Sequence, residues 1–210
     1  MVRREFPQYE AAYLALAPGA ARADFFRYMV VAAEGGLYAD IDCESLRAPD
    51  FIGPNDDFIV AIELDTTSER IMELYQTDIG RVYCQWSFLA SKQHPILLDL
   101  IDRIAENSRV RLSDNPILDT IKRTGPHAFT AAITRGVEKG HPVKFLPSSY
   151  FGCCDGRNVF RFGLSFLAPT LFRRVYIRHH FDASWIDPKV KREMMKRNMW
   201  LKSGQTRRTG

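Results

Sequence analysis

The N-terminal part of the chain alternates helical apolar spacing with glycine and proline breaks. Residues 7 to 16 have the amphipathic spacing of a short helix, which Pro18-Gly19 ends. Ala21 to Glu34 is apolar on nearly every side and predicts a second helix. Because Gly35-Gly36 is typical of a helix end, Leu37 to Asp42 is predicted as a strand, and a buried one.

Further along, apolar runs typical of strands alternate with helical spacing. Phe58 to Leu64 and Val82 to Ala90 predict two more strands. The remaining predicted elements are helices at His94 to Asn107, Pro116 to Arg123 and Ala128 to Glu138, and short strands at Val143 to Leu146 and Arg174 to Arg178. There is no internal repeat, and strands alternating with helices indicate a layered α/β fold.

Two aspartates stand one residue apart at the predicted end of the first strand. Since successive side chains of a strand point to opposite faces, Leu37 and Ile41 are expected to pack together on one face. Tyr38, Asp40 and Asp42 are expected to share the other face. Two carboxylates in one space repel each other unless a cation lies between them, and Mg²⁺ and Mn²⁺ prefer such oxygen ligands. We therefore predict a metal site at a strand end, where α/β sheets bind ligands.

The apolar helix before this strand carries two charges. Asp24 and Arg27 lie on a segment that must be largely buried, DFFRYMVVAA, and buried charges need partners. Their i, i+3 spacing places them on one helix face, so a structural ion pair is one interpretation. The other is that the guanidinium of Arg27 also presents donors to a phosphate or a sugar hydroxyl.

Composition and charge limit the functional classes. The chain has 210 residues with 46% hydrophobic residues, which suits one folded domain, and no apolar run long enough to span a membrane or to act as a secretion signal. The sequence alone therefore indicates a soluble chain. Its net charge of +4 arises in residues 171–210, which hold eleven Lys and Arg against three acids. This clustering does not favour nucleic-acid binding, and only the basic tail suits contact with an acidic membrane surface.

The four cysteines show neither paired zinc-ligand spacing nor the density of a disulfide scaffold. Cys43, Cys84, Cys153 and Cys154 are interpreted as small, buried apolar residues. Oxidation of the adjacent Cys153 and Cys154 in a secretory compartment is the alternative.

The string R-x-D-x-x-R, an apolar helix and then G-G-x-Y-x-D-x-D resembles the signature of DXD glycosyltransferases. The blocks FIVAIELD, VYCQWSFLASKQHPIL, TGPHAFTAAI and YIRHHFDASW resemble, in order and spacing, those of the initiation-specific α-1,6-mannosyltransferases. The resemblance covers about residues 20–186. It implies a GT-A type fold, with a mixed sheet flanked by helices, and an enzyme that retains the anomeric configuration of the transferred sugar.

The resemblance also implies roles for the charged residues. Asp42 would be the direct ligand of Mn²⁺, or of Mg²⁺. Asp40 would be a catalytic residue that approaches the donor sugar and ribose, or the ion through water. Asp24 and Arg27 would hold the donor's sugar hydroxyls and phosphates, with Tyr38 beside them. A divalent ion offsets the negative charge of a departing nucleotide diphosphate without proton transfer.

Further residues are carried over from the same resemblance. Gln85 matches a position where similar enzymes place an amide beside the reacting sugar carbon, and a hydrogen bond at the strand end is its structural alternative. His180 or its neighbour His179 would complete the metal coordination. Ser184 and Trp185 would close over the donor, where the indole N–H adds a hydrogen bond.

Substrates and domain limits follow from the family as well. The implied donor is GDP-mannose and the implied acceptor is a glycan, in the Golgi lumen, with residues 1–188 as the catalytic domain and 189–210 as a basic helix and tail. Glu63 and Asp65 are candidate acceptor-side groups, and His94 is interpreted as structural. The chain is expected to lack the first βα unit of its relatives.

Three alternatives remain open from the sequence. A relative using a UDP-sugar for capsule or lipopolysaccharide synthesis would carry nearly the same signature. The missing first unit also fits a non-catalytic domain that binds sugar nucleotides. Phosphatases of the haloacid dehalogenase type place D-x-D after a strand too, but they expect Thr or Val where this chain has Glu44.

Overall fold

Three helices precede the first strand. A computed structural model describes residues 1–17, 19–69, 72, 77, 79–151, 175–179, 189 and 192. Helices α1 (Val2–Glu5) and α2 (Glu10–Ala15) flank the 3₁₀ turn Pro7–Tyr9, and the long helix α3 (Gly19–Glu34) follows. The amphipathic and apolar helices predicted from the sequence are both confirmed.

The remaining elements alternate between strands and helices. They are β1 (Gly36–Ala39), β2 (Cys43–Ser45), β3 (Phe58–Asp65), β4 (Arg81–Ala90), α4 (Pro95–Glu106), α5 (Pro116–Arg123), α6 (Pro126–Glu138), β5 (Lys144–Leu146), the 3₁₀ turn Ser148–Phe151 and β6 (Ile177–His179).

Among the residues that the structure describes, strand pairing produces one mixed sheet and one small antiparallel sheet. The larger sheet has the order β1-β4-β3-β5, in which only β3 and β5 pair in parallel. Strands β1, β3 and β5 therefore run in one direction, and their carboxyl ends meet at one edge of the sheet. Strands β2 and β6 pair separately, with Cys43 opposite His179. The expected α/β fold with a mixed sheet flanked by helices is confirmed.

Each face of the larger sheet packs against its own apolar core. On one face α3, α4 and α6 enclose a cluster in which Tyr28 stacks on Phe129 with ring centroids 5.5 Å apart. On the other face Trp86 and Phe151 pack with residues next to β6. Burying aromatic side chains of this size supplies much of the driving force for folding. The larger sheet is therefore covered by apolar side chains on both faces.

The helix boundaries follow from local chemistry. Pro95 is the first residue of α4, where its missing N–H costs nothing, and the Nδ1 atom of His94 accepts a hydrogen bond from the backbone N–H of Ile96 at 3.3 Å. This confirms the structural interpretation of His94. At the end of α3, Gly35 has a φ of +72°, a conformation that favours glycine, and it turns the chain into β1.

The first strand differs from its prediction. It ends at Ala39 rather than at Asp42, and residues 41–42 form a turn. It is an edge strand whose residues are mostly exposed, among them Leu37 at 39%, and Ile41 in the turn is 105% exposed. The expected packing of these two residues was wrong: the pleat directs Tyr38 toward the helical core, and the turn removes Ile41 from the alternation.

Part of the predicted C-terminal region lies outside the described residues. These include residues 152–174 and most of the tail at 189–210. The predicted strand at Arg174 to Arg178 is observed only at Ile177–His179, since residues 175–176 are described and are not part of a strand. Within the part of the chain that the structure describes, no helix combines the length and apolar character needed to cross a bilayer.

Candidate functional site

A cleft of about 570 Å³ opens at the edge where β1 and β3 end. Two of the residues singled out in the sequence, Glu63 and His179, line it. So do six others, which are Asp24, Arg27, Tyr38, Asp40, Asp42 and Gln85. Helix α3 supplies the first two, the end of β1 and the following turn the next three, and β4 the last. The fold thus brings together groups from three separate elements at one strand-end position.

The floor of the cleft is a buried chain of alternating charges. Arg27 is 7% exposed and lies between Asp24 and Asp40, with N–O distances of 3.1 Å and 3.2 Å. Its Nη1 atom also donates to the backbone carbonyl of Gln85 at 3.3 Å. The predicted i, i+3 pair is confirmed, and it extends to one of the two strand-end aspartates. One guanidinium therefore fixes both carboxylates relative to the sheet.

Burial dominates the electrostatics of Asp24. Removal from water raises its pKa to about 6, although the charge of Arg27 and a hydrogen bond from Thr124 act in the opposite direction. The Thr124 hydroxyl donates to Asp24 Oδ2 at 2.9 Å. Burial works against the charged form of Arg27 too, but Asp24 and Asp40 keep its pKa above the ordinary value. The Arg27 side chain is therefore a permanent cation at the base of the cleft.

Asp40 is held in its ionised form. Burial by itself would raise its pKa, but the imidazole of His179, the charge of Arg27 and a hydrogen bond from the Tyr38 hydroxyl lower it below the usual range. The Tyr38 hydroxyl donates to Asp40 Oδ1 at 2.7 Å, and the Arg27 guanidinium lies over the Tyr38 ring, 5.3 Å from its centroid. The backbone N–H of Asp40 donates to the carbonyl of Trp86 at 2.9 Å, which anchors the chain just past β1.

The Gln85 side chain is oriented by buried neighbours. The Tyr28 hydroxyl lies 2.5 Å from Gln85 Oε1 and 3.0 Å from the carbonyl of Thr124. The amide nitrogen of Gln85 is 3.5 Å from Asp24 Oδ1. These are hydrogen bonds of the kind that the structural interpretation of Gln85 expects, but Gln85 lies in the middle of β4 and not at a strand end. The amide nevertheless lines the cleft, so the same bonds also place it for contact with a ligand.

A second group of donor atoms lies beside the charged floor. His179, from β6, places its Nε2 atom 3.0 Å from Asp42 Oδ1 and 3.8 Å from Asp40 Oδ2. Its ring stacks on Trp86 with centroids 4.6 Å apart, which fixes the plane of the imidazole. Carboxylate oxygen and imidazole nitrogen are both ligands of divalent ions, so these residues fit such an ion.

Cys43 belongs to the same neighbourhood. One ligand atom each from Asp42, Cys43 and His179 all lie within 4.8 Å of one another. The thiol is partly buried, and burial followed by the charges of Asp40 and Asp42 raises its pKa to about 12. The interpretation of Cys43 as a small apolar residue explains its packing against the second core. It does not explain why the thiol lies beside Asp42 and His179.

The two candidate acceptor-side carboxylates differ in position. Glu63 lines the cleft, where burial raises its pKa to about 7 and the charge of His179 acts to lower it. Asp65 is about half exposed, at 52%, and pairs with Arg81 at 2.7 Å outside the cleft lining. Of these two carboxylates, Glu63 therefore remains the candidate for contact with a ligand in the cleft.

Three predicted site residues, His180, Ser184 and Trp185, lie outside the described residues. Of the two histidines considered for metal binding, the structure brings His179 to Asp42. Thr124 was not singled out from the sequence, because a threonine at a helix end carries no signal of a partner far along the chain. Cys43 was also missed, although its position next to the D-x-D motif was visible.

Comparison with known proteins agrees with the sequence resemblance. Residues 2–59 match the family described as glycosyltransferase sugar-binding region containing DXD motif. The initiation-specific α-1,6-mannosyltransferase of Schizosaccharomyces pombe is 34% identical over 123 residues, which are 53% of this chain and 30% of that protein. The enzyme of the same name from Candida albicans is 30% identical over 148 residues, covering 61% of this chain and 38% of that protein.

The matched region is only part of these relatives, since the chain spans about a third of their length. Among solved structures, the PaToxG glycosyltransferase covers 95% of this chain and 58% of its own, with a TM-score of 0.43 and 19% sequence identity. The charged residues of the cleft from α3 and from the end of β1, which are Asp24, Arg27, Asp40 and Asp42, fall within the matched residues 2–59. Residues 2–59 of this chain thus match the DXD-containing sugar-binding region of glycosyltransferases, and about half of the chain is similar to initiation-specific α-1,6-mannosyltransferases.

Proposed function

We propose that this chain carries the donor site of a retaining, metal-dependent glycosyltransferase that moves mannose from GDP-mannose to a glycan acceptor. The observation that carries the proposal is the pairing of a buried cation with a metal-type donor set in one cleft. Arg27 lies between Asp24 and Asp40 at the base of the cleft, and Asp42 contacts His179 at the side of the cleft. A nucleotide sugar needs both, because it presents sugar hydroxyls next to a charged diphosphate.

The charged floor suits the sugar and phosphate parts of such a donor. Carboxylates accept hydrogen bonds from sugar hydroxyls, and in this role Asp24 is already oriented by Thr124 and Arg27. Since its guanidinium carries several donors in a fixed plane, Arg27 contacts phosphate oxygens while retaining its ion pairs. Tyr38 keeps Asp40 in place beneath the sugar.

The metal side of the cleft suits the diphosphate. In this proposal Asp42, Asp40 and His179 hold Mn²⁺, or Mg²⁺, with His180 as the alternative imidazole. A divalent ion there supplies Lewis-acid neutralisation of the charge on the leaving diphosphate. Ser184 and Trp185 complete the proposed donor site by closing over the bound nucleotide sugar.

The reacting side of the donor faces Gln85 and Glu63. In a retaining transfer the acceptor hydroxyl approaches the face that the leaving group vacates, so no carboxylate nucleophile is required. Gln85, oriented by Tyr28, lies beside Asp24 and contacts the sugar near its reacting carbon. Glu63 accepts a hydrogen bond from the acceptor hydroxyl, and its raised pKa suits a group that exchanges a proton near neutral pH. We place the reaction in the Golgi lumen, where glycan acceptors of this kind are elongated.

A transfer assay with a panel of donors tests the proposal. The protein is incubated with a mannose-terminated oligosaccharide and GDP-mannose, UDP-glucose or UDP-N-acetylglucosamine, with Mn²⁺ or with a chelator, and products are identified by mass spectrometry. We expect a single added hexose from GDP-mannose only, and only when the metal is present. The anomeric configuration of the new bond, read by NMR, should match that of the donor.

A pair of matched variants tests whether transfer depends on a carboxylate of the cleft and not on any carboxylate of the surface. Asp42→Ala should abolish transfer, whereas Asp65→Ala, which removes an exposed carboxylate paired with Arg81, should leave it near the unmodified rate. Equal transfer by both variants would contradict the proposal. Metal-dependent donor binding without any transfer would instead identify a sugar-nucleotide-binding domain.

A further inference from the structure

The turn after β1 places a thiol next to the metal-type donor set. Cys43 is the first residue of β2 and lies directly opposite His179 of β6 in the antiparallel register. Directly opposed residues of such a pair present their side chains on the same face of the sheet, roughly 5 Å apart at Cβ. The Cys43 and His179 side chains therefore lie on the same face of the two-stranded sheet.

Asp42 joins them because it belongs to the turn rather than to the strand. Within a strand, neighbouring residues point to opposite faces, so Asp42 and Cys43 would diverge. The turn at residues 41–42 removes that restriction, and one ligand atom from each of Asp42, Cys43 and His179 comes within 4.8 Å of the others. This mutual spacing suits three ligands around one ion.

The three donors differ in chemical softness. A carboxylate oxygen suits hard ions, an imidazole nitrogen suits borderline ions, and a thiolate sulfur selects zinc-like ions over Mg²⁺. Mg²⁺ demands oxygen ligands in octahedral geometry and keeps much of its water. A sulfur ligand added to carboxylate oxygen and imidazole nitrogen therefore makes the site discriminate among divalent ions.

We propose that Cys43 is a further protein ligand of the ion at this site, beside Asp42, Asp40 and His179, and that the site consequently prefers Zn²⁺ and Co²⁺ to Mg²⁺. The inference rests on the metal site of the proposed function but not on the identity of the donor or acceptor. Binding releases the thiol proton to solvent and leaves the sulfur as a thiolate ligand. Neither oxidation nor an additional reactant is involved.

The competing arrangement leaves the thiol uncoordinated. In that case Asp42 and His179 act without Cys43, whose sulfur only packs against the second core. The two arrangements differ in one spectroscopic property, because thiolate bound to Co²⁺ gives an intense near-ultraviolet charge-transfer band that oxygen and nitrogen ligands do not give.

Titration of Co²⁺ into the metal-free protein tests the proposal, followed by competition with Zn²⁺ and Mg²⁺. We expect the charge-transfer band at one equivalent of Co²⁺, its displacement by Zn²⁺ and its persistence in excess Mg²⁺. Cys43→Ser should abolish the band. Removing even a residue that supports a metal ligand costs about 10- to 100-fold in affinity, so loss of Cys43 should weaken Zn²⁺ binding by at least about tenfold.

Control variants assign the band to one thiol. Cys84→Ala removes a buried cysteine of β4, and Cys153→Ala/Cys154→Ala removes the remaining pair, and all of these should keep the band. Circular dichroism and urea unfolding of Cys43→Ser confirm that the variant is folded.

Two outcomes overturn the proposal. Bound Co²⁺ without the charge-transfer band means that Cys43 is not a ligand, although the metal site of the proposed function survives. Absence of Co²⁺ binding in the unmodified protein overturns the thiolate ligand as well. Failure of the proposed function has a different signature, namely an intact cobalt band in a protein that does not bind any nucleotide sugar.

Discussion

Replacement of Glu63 by glutamine should make the protein more stable at neutral and alkaline pH. Burial raises the pKa of this carboxyl from 4.5 to about 7, so the folded protein resists its ionisation while the unfolded chain does not. Below about pH 4.5 Glu63 is protonated in both states and costs the folded protein little stability. As the pH rises through about 7, the buried carboxyl ionises and the free energy of unfolding falls. At about 1.4 kcal/mol for each pKa unit, the ionised carboxylate costs about 3 kcal/mol, and Glu63→Gln removes that cost.

Urea unfolding of the metal-free protein at a series of pH values measures this difference. A chelator is included, since a bound cation beside the cleft would stabilise the carboxylate and hide the effect. The free energy of unfolding of Glu63→Gln relative to the unmodified protein should rise by about 2 kcal/mol between about pH 5 and about pH 8. Asp65→Asn is the matched control, because its exposed carboxylate pairs with Arg81 on the surface and should change stability by less than about 1 kcal/mol at either pH.

Parallel stability curves for Glu63→Gln and the unmodified protein would refute the reasoning. They would mean that the Glu63 carboxylate is solvated in the folded protein and has no raised pKa. The assignment of Glu63 to the acceptor side of the cleft would then lose its electrostatic support.

Two further predictions concern the charged floor of the cleft. Arg27→Met leaves the Asp24 and Asp40 carboxylates buried without their cation and should cost about 3–5 kcal/mol in urea unfolding, whereas Arg81→Met on the surface should cost about 1 kcal/mol or less. Equal costs for the two would contradict the buried network. Thr124→Val removes the hydroxyl that donates to Asp24 and should raise the pKa of Asp24 further above about 6, as followed by NMR titration of the carboxyl carbon. An unchanged or lower pKa would show that this hydrogen bond does not form.

The elements predicted best were those whose ends carry local chemistry. Helix α4 begins at Pro95, directly after the N-cap residue His94. Helix α3 is followed by Gly35 and Gly36, whose positive φ angles are unfavourable for residues that have a side chain. Strands β3 and β4 were predicted from continuous apolar runs. Such runs are typical of strands that are buried on both faces of a sheet. Each of these signals lies within a few residues of the element that it determines.

The first strand was predicted less well because its environment is set by distant residues. Alternation along GGLYADID gave the side that Tyr38 and Asp40 share, but not which side faces the core. That choice depends on pairing with β4 at the sheet edge, which no local pattern contains. The predicted packing of Leu37 and Ile41 failed for this reason.

The same limit applies to the cleft. The charge pair in α3 was predictable from its spacing, since helix geometry alone brings Asp24 and Arg27 together. The contact of His179 with Asp42 depends on the pairing of β2 with β6, and the bond from Thr124 to Asp24 depends on packing of α5 near α3. The thiol of Cys43 joins the site only because a turn follows β1.

If Asp42 holds the ion that binds the donor's diphosphate, donor binding must depend on both the metal and this carboxylate. GDP-mannose is titrated calorimetrically into the unmodified protein and into Asp42→Ala, each with Mn²⁺ and with a chelator. We expect the unmodified protein to bind GDP-mannose only in the presence of Mn²⁺, and Asp42→Ala not to bind it. Donor binding of equal strength in that variant, or binding by the unmodified protein that ignores the metal, would contradict this role of Asp42.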